Sequence, residues 1–389
     1  AGWWFAAGAF AALAFVMIRY APLPAPGSKA HHVPDSQAQE FYLQGRYFWN
    51  RRTDDSLNKA VDSFTQAIVH DSAYAQAYAG LADTYDLLPE YTHVSAADAY
   101  PRAIAAATKA VQLDDSLSEA HRSLAFGLFF WNWDVPRALS EFHRALQLDP
   151  NDIEAHHWYS TTLLTLRHID ESLAEIERAR QLSPTSRSIL ADRALILHYD
   201  GDDIAAVSIL KELGQAEPDF LSPPRYLARI FLVTRDYPGY LAEMKRVASI
   251  SKDPTDAALA EAVEQGWQSG GEIGMLNALA ETRKRLFEEG KCSSFDVAYA
   301  YVLLNRKEEA VSYLQEAFAA HEFEIFSIAD PLFQERLGAN HNFEQLALKM
   351  RPYLDGSTSG SVPSLVQVPS NQLRSSSGAA TSTGTLVTP

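Results

Sequence analysis

The sequence predicts an all-α protein, a right-handed α-α superhelix of stacked helical pairs preceded by one membrane-spanning helix. Three observations predict it. Pro150, Pro184 and Pro218 close turns 34 residues apart in both intervals. Twelve residues before each stands a small residue (Ala138, Ser172, Ala206), and eight before each a bulky apolar one (Phe142, Ile176, Leu210). Ahead of the array, residues 1–18 carry no charge. Two short antiparallel helices cannot bury their apolar stripes alone. Small residues let them approach, the bulky residue fills the gap, and stacking makes the packing continuous.

The period and the small-to-bulky spacing resemble the tetratricopeptide repeat, an A helix, a tight turn and a B helix in 34 residues. In order, residues 1–20 read as a transmembrane helix. Trp3 and Trp4 stand at one end and Arg19 and Tyr20 at the other, as interfacial anchors do, and eighteen residues span roughly 27 Å. The apolar part of a signal peptide is the rival. The chain begins at Ala1 rather than Met, which leads us to expect further sequence upstream. Residues 21–35 hold Pro22, Pro24, Pro26 and Pro34 and read as an extended linker.

Residues 36–355 read as a solenoid of about eight repeats. Asp71-Ser72 closes the first. The second carries a nine-residue insertion, expected as a loop around Pro89–Ser95. Its B helix holds Ala103, Ala107 and Ala110, and Asp114-Asp115 closes it. The third holds Leu124, Ala125 and Leu128 and a turn containing Trp131-Asn132-Trp133. Gly201 stands at a tight turn that needs left-handed backbone. After Pro218 the phase persists in Ala228, Phe231 and Tyr240. It degenerates over 256–287, where Gly270, Gly271 and Gly274 replace packing residues, and returns with Ala298, Tyr301, Ala310, Leu314 and Ala317. Residues 331–353, with Leu346 and Met350, read as one capping helix. Residues 356–389, rich in Ser, Thr and Gly, cannot bury enough apolar surface to offset chain entropy and read as disordered.

Composition excludes several classes. The net charge is −16, a poor match for a nucleic-acid backbone. A single cysteine, Cys292, rules out an intramolecular disulfide and a cysteine-based zinc site. No catalytic motif is present. His321-Glu322 lacks a second His at helical spacing, Gly270-Gly271 and Gly274 lack the Lys-Ser/Thr of a phosphate loop, and adjacent His156 and His157 face different sides of a helix. The expectation is a protein without catalysis, cofactor or metal.

Three segments together resemble a bacterial signalling architecture: Tyr42–Thr53, Ala77–Tyr85 and Ala329–Phe333. There a winged-helix, serine/threonine kinase or nucleotide cyclase domain precedes one membrane helix and a tetratricopeptide array. The resemblance implies a single-pass membrane protein whose array faces away from the cytoplasm as a sensing or docking half. It also implies that A helices line a concave groove, their second, fifth, ninth, twelfth and thirteenth positions facing in. That register names Asp83, Asp86, Arg122, Phe126, Phe129, Phe130, His157, Thr161, Leu164, His198, Tyr199, Arg225 and Arg229 as candidates for binding a protein or peptide. The phenylalanines would anchor an apolar side chain, and Arg225 and Arg229 would grip a carboxylate. The Lys/Asn pair of chaperone-tail binders is absent from the fifth and ninth positions, which hold Arg122/Phe126 and His157/Thr161, for example. Self-association suits such arrays, though nothing in the sequence demands it.

Overall fold

A computed structural model of the chain describes residues 32–92 and 94–357. The expected membrane helix at 1–20, most of the linker and nearly all of the tail lie outside the described residues. Among the described residues every regular element is helical, and no helix is long and apolar enough to cross a membrane.

The helices form seven consecutive pairs, with one bent helix between the sixth pair and the seventh. They are α1 (Ser36–Trp49) with α2 (Asp54–His70), α3 (Ala75–Tyr91) with α4 (Ala96–Leu113), α5 (Ser118–Phe130) with α6 (Val135–Leu148), and α7 (Ile153–Thr165) with α8 (Ile169–Leu182). Next come α9 (Arg187–Asp200) with α10 (Asp203–Ala216), α11 (Ser222–Thr234) with α12 (Tyr237–Ser251), the bent α13 (Pro254–Glu288), and α14 (Ser294–Leu303) with α15 (Lys307–Ala319). A 3₁₀ segment (Phe323–Ala329) and helices α16 (Pro331–Leu337) and α17 (His341–Leu354) follow.

The repeated positions carry the core. Ala138, Phe142, Ser172, Ile176, Ala206 and Leu210 are all fully buried. The Phe142 ring stacks on Tyr159 of the next pair at 5.2 Å, and the buried Ser172 hydroxyl donates to the Ser160 carbonyl at 2.7 Å. Tight turns recur in the same phase. Trp133, Arg167, Gly201 and Arg235, each 34 residues after the last, all have positive φ, as do Arg52, Gly271 and Asn305. Asp134, Asp202 and Asp236 follow three of them and cap the next helix. Only Gly201 was expected there. A side chain at positive φ is uphill by roughly 1–2 kcal/mol, and Arg52, Trp133 and Arg167 offset it with contacts reached from that backbone.

Three expectations are corrected. The insertion in the second repeat is not a long loop: α3 runs through Pro89 to Tyr91 and α4 begins at Ala96, so both helices lengthen to absorb it. The 256–287 segment is not a packing failure. Gly271 (φ 59°, ψ −143°) folds α13 into a hairpin. Its arms cross where a Cβ on Gly266 would stand 2.5 Å from the Gly274 carbonyl oxygen, and one on Gly274 would meet the Gly266 oxygen. The glycines permit that approach. The cap is not one helix but α16 and α17, with Leu346 and Met350 buried.

The C-terminal segment does more than cover the last pair. Glu322 caps α14, accepting from Ser294 N and Phe295 N at 2.9 Å each. The chain then packs Phe326 between Phe129 (5.5 Å) and Trp133 (5.3 Å). His321 stacks on Trp133 at 3.6 Å and donates from Nε2 to the Trp131 carbonyl at 2.9 Å. The superhelix therefore closes from its end onto its third pair.

Three outcomes follow for stability. Phe142→Ala should lower unfolding free energy by about 3–5 kcal/mol, measured by denaturant titration; a loss below about 1 kcal/mol would contradict its core placement. Arg235 is exposed at φ 63°, so Arg235→Gly should raise stability by about 0.5–1 kcal/mol through relief of the left-handed penalty. Arg52→Gly should lower it, because Arg52 pairs with Glu154 at 3.0 Å and covers Trp49.

Candidate functional site: the concave wall

The A helices carry polar side chains that reach one another at about the repeat spacing. Arg122 of α5 is 3% exposed. Its guanidinium donates to Asp83 of α3 at 2.6 Å and to both oxygens of Asp152, the α7 cap, at 2.7 and 2.8 Å. Ser123 also donates to Asp83, and Ser118 to Asp152 at 2.6 Å. The Arg122 face lies 5.3 Å from the Trp158 ring. Burial raises the Asp83 carboxyl against the pull of Arg122. At Asp152 burial also acts upward, but Arg122 and the hydroxyl and amide donors outweigh it and hold the carboxyl low.

A second chain of contacts continues the wall. Glu154 of α7 accepts from Arg52 and lies 3.5 Å from His157 Nδ1. His157 Nε2 donates to Asp192 of α9 at 2.7 Å, and the Tyr226 hydroxyl of α11 donates to the other Asp192 oxygen at 2.7 Å. Burial alone would depress His157, yet Asp192 and Glu154 raise it to about 9. Toward the outer face His121 and His156 repeat one arrangement. Each directs Nδ1 at a B-helix glutamate (Glu141, Glu175) and Nε2 at a backbone carbonyl (Asp115, Pro150). With both nitrogens donating, each ring is held as a cation against its burial, and both pKa values rise.

The candidate residues divide accordingly. Asp83, Asp86, Arg122 and His157 are buried in the wall, not open in a groove. Phe129 is fully buried because the C-terminal segment covers it, so it is core here rather than a free anchor. Phe126 is 9% exposed and stacks on Phe130 at 4.1 Å; Leu164 is likewise buried. Phe130, Thr161, His198, Tyr199 and Arg229 are half-buried, and Arg225 is exposed. The Tyr199 ring lies between two guanidinium groups, Arg167 at 4.8 Å and Arg229 at 5.5 Å. Arg225 stands 3.8 Å from Asp256, and Arg167 4.0 Å from Asp330.

Residues missed from sequence are Arg52, Arg167, Asp192 and Tyr226. The first two occupy tight turns, and their signal was a bulky cation where left-handed backbone is needed. Asp192 and Tyr226 lie 34 residues apart at equivalent positions, which the period alone could have paired. Burial pushes the Cys292 thiol up to about 12, an inert group. Among the described residues no cluster of three or more His, Cys, Asp or Glu is arranged to hold a metal.

The raised His157 has a testable sign. Its stabilisation is complete below pH 6.5 and is lost as pH rises toward 9, about 3 kcal/mol across that window. Wild-type stability should fall from pH 6 to pH 9, with His121 and His156 adding to the slope. His157→Gln should flatten the profile; an unchanged slope in denaturant titrations would contradict the assignment.

No protein-family model matches the sequence, and no curated protein does. Solved structures do match. One is the human IFIT1 dimer with PPP-AAAA, at TM-score 0.52 and 14% identity over 76% of this chain and 75% of that one. A monomeric IFIT1 mutant with Gppp-AAAA gives 0.53 and 13%, over 73% and 71%. YrrB, a TPR protein with an unusual peptide-binding site, gives 0.29 and 20%, over 48% and 89%. At these identities the likeness to IFIT1 is one of fold. With its 34-residue phase of helical pairs, the chain is an all-α array of tetratricopeptide-like repeats.

Proposed function

We propose that the array is a non-catalytic interaction scaffold that takes a protein segment or peptide along its concave side. The observation that carries this reading is the set of side chains left reachable on a wall otherwise tied by ion pairs. Tyr199, Arg225, Arg229, Thr161 and Phe130 come from four successive A helices and retain solvent access. A wall held rigid by its own contacts loses little entropy when a ligand docks. Charge supports a protein ligand over a nucleic acid. A net charge of −16 opposes a phosphate chain; the RNA in the IFIT1 structures concerns that protein.

We also propose that residues 1–20 tether the array to a membrane as a single pass, with the array on the extracytoplasmic side. The apolar run, Trp3 and Trp4 at one end and Arg19 and Tyr20 at the other support the span; the orientation rests on the resemblance to the signalling architecture, against Arg19 and Lys29 on the array side, which favour the cytoplasm. A second reading makes the array the sensing half of a regulator, kinase or cyclase whose output domain precedes Ala1. It rests on the three segments resembling that architecture, and the coding frame upstream distinguishes it.

The binding test uses the full chain as bait beside an Arg225→Ala, Arg229→Ala double variant. Proteins captured by the wild type should be lost or weakened at least tenfold, consistent with truncated interface arginines, while the melting profile persists. Identical capture by both baits would overturn the concave assignment. Removing residues 1–31 should release the protein from the membrane fraction.

A further inference from the structure

The segment from His321 to Asp330 lies against the third and fourth pairs in the manner of a bound peptide. Side chains three apart in a 3₁₀ helix share a face, and Phe323 and Phe326 form such a face here. The Phe323 ring lies 4.3 Å from Phe130 and 5.4 Å from Phe129. Phe326 meets Phe129 and Trp133. At one end His321 stacks on Trp133 and reaches the Trp131 carbonyl. At the other, Asp330 Oδ1 caps α16, accepting from Leu332 N at 3.0 Å, while Oδ2 stands 4.0 Å from Arg167, whose guanidinium lies over Tyr199. That distance is beyond hydrogen-bond reach, so the carboxylate seat is loosely filled. Ile325 and Ile328, also three apart, are buried as a second face. The segment packs on α15, α16 and α17, and Glu322 ties it to α14. It is thus built into the C-terminal module and meets α5 mainly through side chains.

We propose that residues 321–330 are a resident internal ligand at the aromatic end of the concave side, and that the external segment taken there has the same chemistry, aromatic residues followed by a carboxylate, and binds by displacing them. The inference rests on the scaffold reading and adds to it the ligand's chemistry and its regulation. Phe129 and Phe130 are the positions that register assigns to an apolar anchor, and here they hold phenylalanine rings. The arginines around Tyr199 are the positions suited to a carboxylate, and Arg167 faces one. Opening moves the C-terminal module as one body, with Ile325 and Ile328 still inside it. A tethered ligand acts at an effective concentration on the order of millimolar. An external segment therefore binds in proportion to the fraction of chains that are open, and weakening the internal contact should raise its apparent affinity.

The test is fluorescence anisotropy of a labelled, amidated peptide of residues 321–330, titrated with the full chain. Wild type should bind it weakly, because its own segment fills the seat. Phe323→Ala removes the half-buried ring that meets α5 and leaves Phe326 in place; it should bind the peptide at least tenfold more tightly. His321→Ala, which removes the stack on Trp133, should act in the same direction and carries the comparison if circular dichroism melts show Phe323→Ala unfolded. On the opened chain, a peptide with Phe323→Ser and Phe326→Ser should bind at least tenfold more weakly than the native peptide, and one with Asp330→Asn severalfold more weakly. Equal affinity of wild type and the folded variants, no binding by any of them, or equal binding of the serine peptide overturns the inference. Unfolding of both variants overturns it too, since the contact is then core and not a displaceable ligand. Protein capture that depends on Arg225 and Arg229 leaves the scaffold reading standing whatever the peptide does.

Discussion

The stack of His321 on Trp133 joins parts of the chain about 190 residues apart, and much of the architecture depends on it. In an open solenoid each repeat touches only its neighbours, and stability is a sum of local terms. Here the segment after α15 returns to the third pair, and Phe326, Phe129 and Trp133 become one buried cluster. That closure makes a long-range contact part of the core. It also decides which concave aromatics are available, because Phe129 is covered while Phe130 keeps solvent access.

The concave wall follows a related logic. In a stacked array, equivalent positions on successive A helices face the same side, so a polar residue there meets its counterpart one repeat later. The Ser118–Asp152, His157–Asp192 and Asp192–Tyr226 pairs span 34, 35 and 34 residues. Burying charges is costly unless each finds a partner. Arg122 meets this condition by serving two carboxylates, and Asp86 does not meet it. Burial instead pushes the unpartnered Asp86 carboxyl well above the usual carboxylate range, toward its neutral form.

Much of the fold was legible from the 34-residue phase, because core packing repeats with the backbone period. Ala138, Phe142, Ser172, Ile176, Ala206 and Leu210 needed no tertiary information to be placed inside. The glycines of α13 were misread because a small residue has the same appearance whether it weakens packing or admits a close crossing; only the approach of Gly266 to Gly274 separates the two. The candidate site was legible in part. Register placed Tyr199, Arg225 and Arg229 on the concave side, but it could not tell a groove side chain from one consumed by an ion pair.

The sequence by itself determined the helical pairs, their stacking positions and the acidic character of the whole, because these follow from local periodicity and composition. The tertiary structure decided what the concave side has left to offer. Whether Phe129 is an anchor or core and whether Arg122 grips a ligand or its neighbours both depend on contacts between distant repeats. Those contacts are set by how the array curves and where its C-terminal segment comes to rest, and a period of 34 residues is compatible with many such closures.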